Sequence, residues 1–173
     1  MQEIQKLDLG NRTALDKISV EWNFDNHLDS EKIAFDLIKC MQENHGIGLA
    51  ANQVGLTERV FVMGANNVVG FPKPFALFNP KIVATSDDFV LDKEGCLSFP
   101  GLYLSIKRPS WVAVEYQDYN GAVHGYRAEG YAAKCVQHEI DHLNGVCFVD
   151  IVSKTKLQLA KQKLRKHKKH DRT

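Results

Sequence analysis

The chain has 173 residues, enough for one domain of ordinary size, and its 44% hydrophobic and 25% charged residues are typical of a soluble globular protein. No apolar run reaches membrane-spanning length, and the N-terminus has neither a signal-peptide core nor an Arg-rich transit pattern. We therefore predict a cytoplasmic protein with no membrane partner, although an organellar protein trimmed of its transit peptide would look similar. A net charge of +1 predicts no DNA partner, and four cysteines without framework spacing indicate reduced thiols.

A helical pattern covers residues 30–44, near the start of the chain. Asp29 or Ser30 is a suitable N-cap, and Gly46 lies beyond the C-terminal end. We predict a core helix here, with Cys40 as a buried thiol that has no catalytic role. One apolar stripe follows the helical period: Ile33, Ala34, Leu37, Ile38 and Met41. Apolar side chains that precede the helix are expected to cover part of the core: Leu15, Ile18, Val20, Trp22 and Phe24.

The stretch from His45 to Gly55 reads HGIGLAANQVG and is rich in small residues. Gly and Ala at this density let a ligand or another chain segment approach the backbone closely. No Gly-Lys-Ser/Thr follows, so the stretch is not a phosphate-binding P-loop, and no clear strand precedes it as in a dinucleotide fingerprint. Taken alone, such a loop indicates packing more often than function.

Residues 58–128 contain short β-rich segments separated by Gly, Pro and Asn. The predicted strands are Arg59–Met63, Ala76–Asn79, Ile82–Ala84, Phe89–Leu91, Trp111–Tyr116 and Val123–Arg127. A hairpin turn at residues 118–121 joins the last two. Strands grouped between an earlier and a later helix favour α+β over a βαβ repeat. We predict short antiparallel or mixed sheets packed around a central helix, in a single domain over residues 1–173.

That central helix carries the motif His138-Glu139-Ile140-Asp141-His142. Residues four apart lie on one helix face, so both imidazoles can reach a single point, with Glu139 close enough to serve a water held there. The apolar positions of the helix are Ala132, Val136, Ile140 and Leu143. Asn144-Gly145 gives a stop signal, and Asp141, which points away from the histidine face, is expected to be structural.

The C-terminal tail, residues 153–173, has nine Lys or Arg residues against a single Asp. Sparse apolar positions predict a helix over most of it. Two readings remain open for its charge: a solvated surface helix, or a contact with a polyanion such as ribosomal RNA.

Two histidines do not hold a catalytic metal alone, so a third ligand is needed. Downstream of His142, Asp150 is a weak candidate. Upstream, Cys96 follows Gly95 and precedes a Pro-Gly turn, which indicates a side chain presented by a bent backbone. A Cys/His/His set leaves one coordination position open, as catalytic sites require. Glu94 is a candidate for a residue that does not bind the metal itself but accepts a hydrogen bond from a ligand histidine and so orients its ring.

Three motifs occur together in one order: GIGLAANQ at residues 46–53, EGCLS at 94–98 and QHEIDHLNG at 137–145. In this order and spacing they resemble the peptide deformylase family, and the likeness extends over about residues 30–150. The N-terminal segment departs from the Pro-containing opening that is usual in the family. The resemblance implies an enzyme that removes the N-formyl group from the formyl-methionine of nascent polypeptides and releases formate.

The resemblance also implies the roles of single residues. Cys96, His138 and His142 match the metal ligands, and Glu139 matches the general acid and base. One divalent ion per chain is implied, with ferrous iron as the physiological metal and zinc, nickel or cobalt accepted in its place. The side chain of Gln53 and the backbone N–H of Leu97 match the donors that hold the developing oxyanion.

Substrate specificity is suggested by the face of the central helix. Tyr131 and Cys135 precede His138 by seven and three residues, so they lie on the same face as the ligands. The predicted substrate-binding residues are Ile47, Gly48, Gly95, Tyr131 and Cys135, a set suited to an unbranched methionine side chain. Core packing is an equally good interpretation of Tyr131 and Cys135.

Two other functions compete with this one. A metallopeptidase would share the helix motif but gives no reason for Cys96 or for the Gly-Ala-Gln loop. A non-enzymatic module with a structural metal would need a closed fourth coordination position and would not need Glu139.

Overall fold

The computed structural model describes residues 13–25, 29–64 and 73–170. The predicted domain 1–173 and the predicted departure from the family at the N-terminus both include residues outside these ranges. The elements in chain order are α1 Ser30–Glu43, β1 Gly48–Ala50, a 3₁₀ turn Ala51–Val54, β2 Val60–Met63, β3 Phe75–Thr85, β4 Phe89–Gly95, β5 Tyr103–Pro109, β6 Trp111–Gln117, β7 Val123–Glu129, α2 Gly130–Leu143 and α3 Lys154–His170. Their mixture of helices and small sheets confirms the predicted α+β class.

The strands form two antiparallel sheets. One has the order β1-β2-β3-β6-β7, and the other pairs β4 with β5. Helix α2 lies against the first sheet, and its apolar positions Ala132, Val136, Ile140 and Leu143 are at most 6% exposed there. The helix that carries the two histidines is therefore a core element, as the apolar spacing predicts.

Several strand boundaries were wrong. The segments Ala76–Asn79 and Ile82–Ala84 belong to the single strand β3, which continues through a break in register. Asn79 adopts a left-handed backbone (φ 49°) at that break, and its side chain accepts a bond of 2.7 Å from the N–H of Trp22. Predicted Phe89–Leu91 extends to Gly95 as β4, while β5 and the short β1 were missed. The three residues of β1 are too few to show a pattern, whereas β5 does alternate at Leu104-Ser105-Ile106-Lys107, a signal that the sequence reading overlooked.

Helix α1 packs on the other side of the first sheet. Asp29 is its N-cap and accepts a bond of 3.0 Å from the N–H of Lys32. Cys40 is only half-buried at the edge of this core, so the expectation of a buried thiol was too strong. In the preceding segment, Ile18 and Val20 are 75% and 58% exposed and do not cover the core as expected.

Helix α3 leans on the β4–β5 sheet. Leu157, Ala160 and Leu164 pack against a buried apolar cluster that includes Leu104 and Phe148. The ammonium of Lys156 donates to the carbonyl of Ser105 at 2.5 Å. The predicted tail helix is thus present, apart from residues 171–173, which are not described. Among the described helices, none is long and apolar enough to cross a bilayer.

Candidate metal centre

Three side chains from distant parts of the sequence converge between α2 and the end of β4. Cys96, His138 and His142 each offer one ligand atom, and these atoms lie within 4.8 Å of one another. Cys96 Sγ is 3.2 Å from His142 Nε2, and the two imidazole rings stand nearly perpendicular with centroids 4.7 Å apart. A sulfur and two imidazole nitrogens at these separations suit a transition metal and leave a coordination position for water or substrate.

The backbone at the end of β4 presents the cysteine. Gly95 is the last residue of the strand, and a Cβ at this position would lie 2.7 Å from the ring of Tyr103. The next residues form a turn in which Phe99 N–H donates to the Cys96 carbonyl at 2.9 Å. The bent presentation of Cys96 therefore has two local causes, which are the small residue before it and the turn after it.

A buried charge network supports His138. Its Nδ1 lies 3.1 Å from Oε2 of Glu94, which is 4% exposed. Arg108 from β5 donates to both oxygens of that carboxylate at 2.6 and 3.0 Å, and to Asp141 at 2.7 Å. Burial alone would raise the pKa of Glu94, but the bonds from His138 and Arg108 outweigh burial and lower it. Glu94 and Asp141 thus occupy the positions expected of an orienting and a structural residue.

The same network sets the electrostatics of the ligands. Burial by itself lowers the pKa of His138, but Cys96 and Glu94 raise it to about 10. Burial lowers the pKa of His142 well below its ordinary value. A metal ion must displace the proton that these negative partners favour on His138, but the same partners also attract a divalent cation, and burial keeps His142 neutral for ligation. The residues present therefore fit a metal ion.

Glu139 lies beside the ligands with an unsatisfied oxygen. The residue is 4% exposed, and its Oε2 has no hydrogen-bond partner among the described residues. Burial raises the pKa of this carboxyl to about 7. A buried carboxylate oxygen without a protein partner, next to a metal centre, is placed to exchange a proton with a bound molecule.

The glycine loop approaches this carboxylate closely. Gly48 in β1 has no room for a side chain, because a Cβ there would lie 2.7 Å from Cys135 Sγ and closer still to the carboxylate of Glu139. Asn52 donates from Nδ2 to the carbonyl of His142 at 2.6 Å and so ties the loop to the end of α2. The small residues therefore serve both packing and the site.

Gln53 is held in the same loop with its amide aimed at the cysteine. Its Oε1 accepts a bond of 2.8 Å from the N–H of Ala50, which turns the amide nitrogen toward the cysteine. Nε2 donates to the hydroxyl of Ser98 at 3.0 Å and lies 3.6 Å from Cys96 Sγ. In the described part of the chain, the backbone N–H of Leu97 makes no backbone hydrogen bond.

A cavity of about 690 Å³ opens onto the centre. Its lining includes all of the predicted substrate-binding and oxyanion residues: Ile47, Gly48, Gln53, Gly95, Leu97, Tyr131 and Cys135. Cys135 is 3% exposed, whereas Tyr131 is 42% exposed at the rim. Asp150, the weak alternative ligand, is outside the metal-ligand cluster, and its carboxylate accepts a bond from the N–H of Cys147 at 3.0 Å.

Three residues of the site had escaped notice in the sequence. Arg108 was missed because β5 was missed, and because a single Arg in a β-rich stretch does not by itself indicate a functional role. Ser98 and Asn52 lie inside two of the recognised motifs, so their proximity to Gln53 and His142 was the only information lacking.

Known proteins resemble this chain in sequence. The family model described as polypeptide deformylase matches residues 4–158. A peptide deformylase of Rhizobium meliloti (strain 1021) is 42% identical over 128 residues, which are 74% of this chain and 74% of that protein. A peptide deformylase of Wolbachia pipientis wMel is 39% identical over 148 residues, covering 81% of this chain and 83% of the relative.

Solved structures resemble it in fold. The crystal structure of a peptide deformylase from Legionella pneumophila has a TM-score of 0.84 and 34% identity, and the match covers 98% of this chain and 98% of that chain. A peptide deformylase from Synechococcus elongatus, solved in complex with actinonin, has a TM-score of 0.78 and 39% identity, with 93% and 84% covered. The likeness therefore extends over most of the chain.

Replacing Glu94 with glutamine tests the network behind His138. We expect Glu94→Gln to weaken metal affinity about ten- to hundredfold, because the charge that orients and polarises the ligand histidine is lost. Competition titration of zinc against a chelator measures this. Asp141→Asn is the matched control, since it removes the other carboxylate on Arg108 without touching His138. Equal affinities for the wild type and Glu94→Gln would contradict the role.

Replacing Gly48 with alanine tests the close approach of β1 to α2. We expect Gly48→Ala to lower the free energy of unfolding by about 1–3 kcal/mol, because the methyl group has no space beside Glu139 and Cys135. Urea denaturation measures the loss. Gly125→Ala is the control, because a Cβ there meets nothing within 4 Å. A similar loss in both variants would show that the contact at Gly48 is not the cause.

Proposed function

The chain belongs to the polypeptide deformylase family, and we propose that it binds the formylated N-terminus of its substrate in the cavity beside the metal centre. The enzyme removes the N-formyl group from nascent polypeptides, and it uses a single metal ion. The observation that carries the assignment of the site is the convergence of Cys96, His138 and His142 beside the unpaired oxygen of Glu139.

We propose Glu139 as the general acid and base. A metal ion, when bound, supplies a Lewis acid that activates water for attack at neutral pH. Oε2 of Glu139 accepts the proton of the attacking water and later delivers it to the amine nitrogen, as the bond between the formyl carbon and that nitrogen breaks. The products are formate and a free N-terminal amine. A carboxyl with a pKa of about 7 suits both halves of this task.

Gln53 and Leu97 are proposed to hold the developing oxyanion. The bond from Ala50 N–H fixes the amide of Gln53 so that Nε2 faces the space beside Cys96. The formyl oxygen, on which negative charge develops during attack, would lie in that space. The backbone N–H of Leu97 follows the ligand cysteine directly and is the second donor. One preorganised donor of this kind is typically worth about 3 kcal/mol of barrier.

We propose that the methionine side chain lies between the glycine loop and α2. Ile47, Gly48, Gly95, Tyr131 and Cys135 all line the cavity. Cys135 is buried beside the carbonyl of Ile47, whereas Tyr131 is 42% exposed at the rim. An unbranched thioether can bend to fit among these groups and contact the tyrosine ring favourably. The pocket therefore favours methionine over alanine as the first residue.

Ferrous iron is the proposed physiological ion, with zinc, nickel or cobalt able to replace it. Thiolate and imidazole ligands together bind each of these ions, so the supply of each metal in the cell helps to decide which one the enzyme holds. A cysteine ligand beside ferrous iron would also make the enzyme sensitive to oxygen. The proposed place of action is cytoplasmic, or the matrix or stroma of an organelle, where formylated chains are made.

Formate release from a formyl-Met tripeptide by anaerobically purified enzyme tests the function. We expect the wild type to release formate, and Glu139→Ala to reduce kcat by about a hundredfold or more, because proton transfer is lost. The metal content of each preparation is measured in parallel. A chelator should abolish the activity, and added metal should restore it.

An unblocked peptide of the same sequence is the control for specificity. Cleavage of its peptide bonds would indicate a metallopeptidase instead. Full activity of Glu139→Ala with metal still bound would indicate a structural ion and would contradict the proposed mechanism.

The basic helix α3 is proposed to contact the ribosome. Lys161, Lys163 and Lys166 are exposed on α3, away from the carbonyl contact of Lys156. Phosphate groups of RNA attract such a cluster in a salt-dependent way. A contact here would bring the cavity close to emerging chains.

Reversing these three charges tests the contact. We expect the triple substitution to glutamate to weaken co-sedimentation with ribosomes about tenfold or more, because several phosphate contacts are lost. Formate release from free peptides should be unchanged. Reversal of Lys17, Lys39 and Lys81, which are exposed elsewhere, is the control. Equal losses in both triple variants would show a general charge effect and contradict a specific contact.

A further inference from the structure

A lysine with three neighbouring partners lies at the rim of the cavity. The Nζ of Lys134 donates to Oδ2 of Asp92 at 2.5 Å and to the carbonyl of Lys93 at 3.0 Å. The same ammonium lies over the ring of Tyr131, 4.0 Å from its centroid. The side chain of Lys134 is 12% exposed, against 56% for Asp92. We call this arrangement the Lys134 clasp: Lys134, Asp92, the Lys93 carbonyl and Tyr131.

The clasp joins two elements that border the cavity from different sides. Asp92 and Lys93 belong to β4 in the two-stranded sheet, whereas Tyr131 and Lys134 belong to α2. The bonds from the ammonium therefore connect the strand directly to the helix at the rim of the cavity. All of these residues line the cavity, as does Cys135 at its inner end.

Two of the three N–H groups of this ammonium donate, one to Asp92 and one to the Lys93 carbonyl, and the charge lies over the ring of Tyr131. The charge of Lys134 is matched by Asp92. Lys134 is therefore already engaged within the protein, and we assign it no direct contact with substrate. Its effect falls on Tyr131, because a cation over a ring favours one position of that ring.

We propose that Lys134 is a positioning residue for substrate selectivity, which fixes the ring of Tyr131 as a wall of the methionine pocket. Tyr131 is 42% exposed, and among the described residues its hydroxyl has no hydrogen-bond partner, so the contact with Lys134 is the polar interaction that orients the ring. A fixed ring offers a defined surface to a long first side chain. An alanine methyl group is too short to reach the rim, so the clasp affects methionine and not alanine.

The inference rests on the proposed pocket and refines it. The proposed role of Lys134 differs from a role in folding, because a loss of stability would slow the cleavage of all substrates alike. The proposed role also differs from a general effect of positive charge at the rim of the cavity. Lys93 provides the contrast, since its ammonium makes no contact in the clasp while its carbonyl does.

The test compares two formylated tripeptides that differ only in the first residue, methionine or alanine. The enzymes are the metal-loaded wild type, Lys134→Met, Asp92→Ala and Lys93→Met. Lys134→Met keeps the apolar stem and removes the ammonium, and Asp92→Ala removes an exposed partner. Formate release gives kcat and KM for each pair, and thermal unfolding together with metal content confirms that each variant is folded and loaded.

We expect the ratio of kcat/KM for formyl-Met over formyl-Ala to fall about tenfold in Lys134→Met, through a higher KM for formyl-Met. A smaller fall is expected in Asp92→Ala, and the wild-type ratio in Lys93→Met. Unchanged ratios in both clasp variants would overturn the inference, as would an equal fall in Lys93→Met. A wild type that cleaves both peptides at equal rates would overturn the methionine pocket as well. A wild type that releases no formate from either peptide would instead overturn the proposed function.

Discussion

The buried carboxylate of Glu94 is the group on which the rest of the site depends. It receives two bonds from Arg108 and lies against Nδ1 of His138, so it links β5, β4 and α2 at one point. A carboxylate out of contact with water is costly unless charged donors surround it. The bonds of Glu94 to His138 and of Arg108 to Asp141 form only when the β4–β5 sheet lies against α2. That placement brings Cys96, two residues after Glu94, to the imidazoles.

Close packing imposes the second constraint. Gly48 meets α2 with no space for a methyl group, and Asn52 binds the carbonyl of His142. These contacts hold the Gly-Ala loop against the face of α2 that carries the ligands. As a result Gln53 faces Cys96, while the carboxylate of Glu139 is enclosed with one oxygen unpaired. Dry surroundings raise the pKa of that carboxyl toward neutrality, which is the range in which an acid and base exchange is efficient.

The metal end and the rim of the cavity differ in how far their side chains are buried. At the metal end, buried and mutually bonded groups leave little freedom, which suits a site where charge develops during reaction. At the rim, Tyr131 is 42% exposed and the side chain of Asp92 is 56% exposed, so water screens their contacts with Lys134 and weakens them. The residues proposed for chemistry are thus separate from those proposed for substrate choice, and α2 contributes to both sets.

The sequence by itself determined the class of the fold, the helix of His138 and His142, and the chemistry that Cys96 and Glu139 could support. These follow from local periodicity and from residue types, which are properties of short stretches. Only the tertiary structure decided that Arg108 lies behind His138, that Gln53 points at Cys96, and that Lys134 bonds to Asp92. Each of these contacts joins residues that are far apart in the sequence, so no local pattern predicts it. Local patterns determine which elements form, whereas the packing of those elements decides which side chains meet.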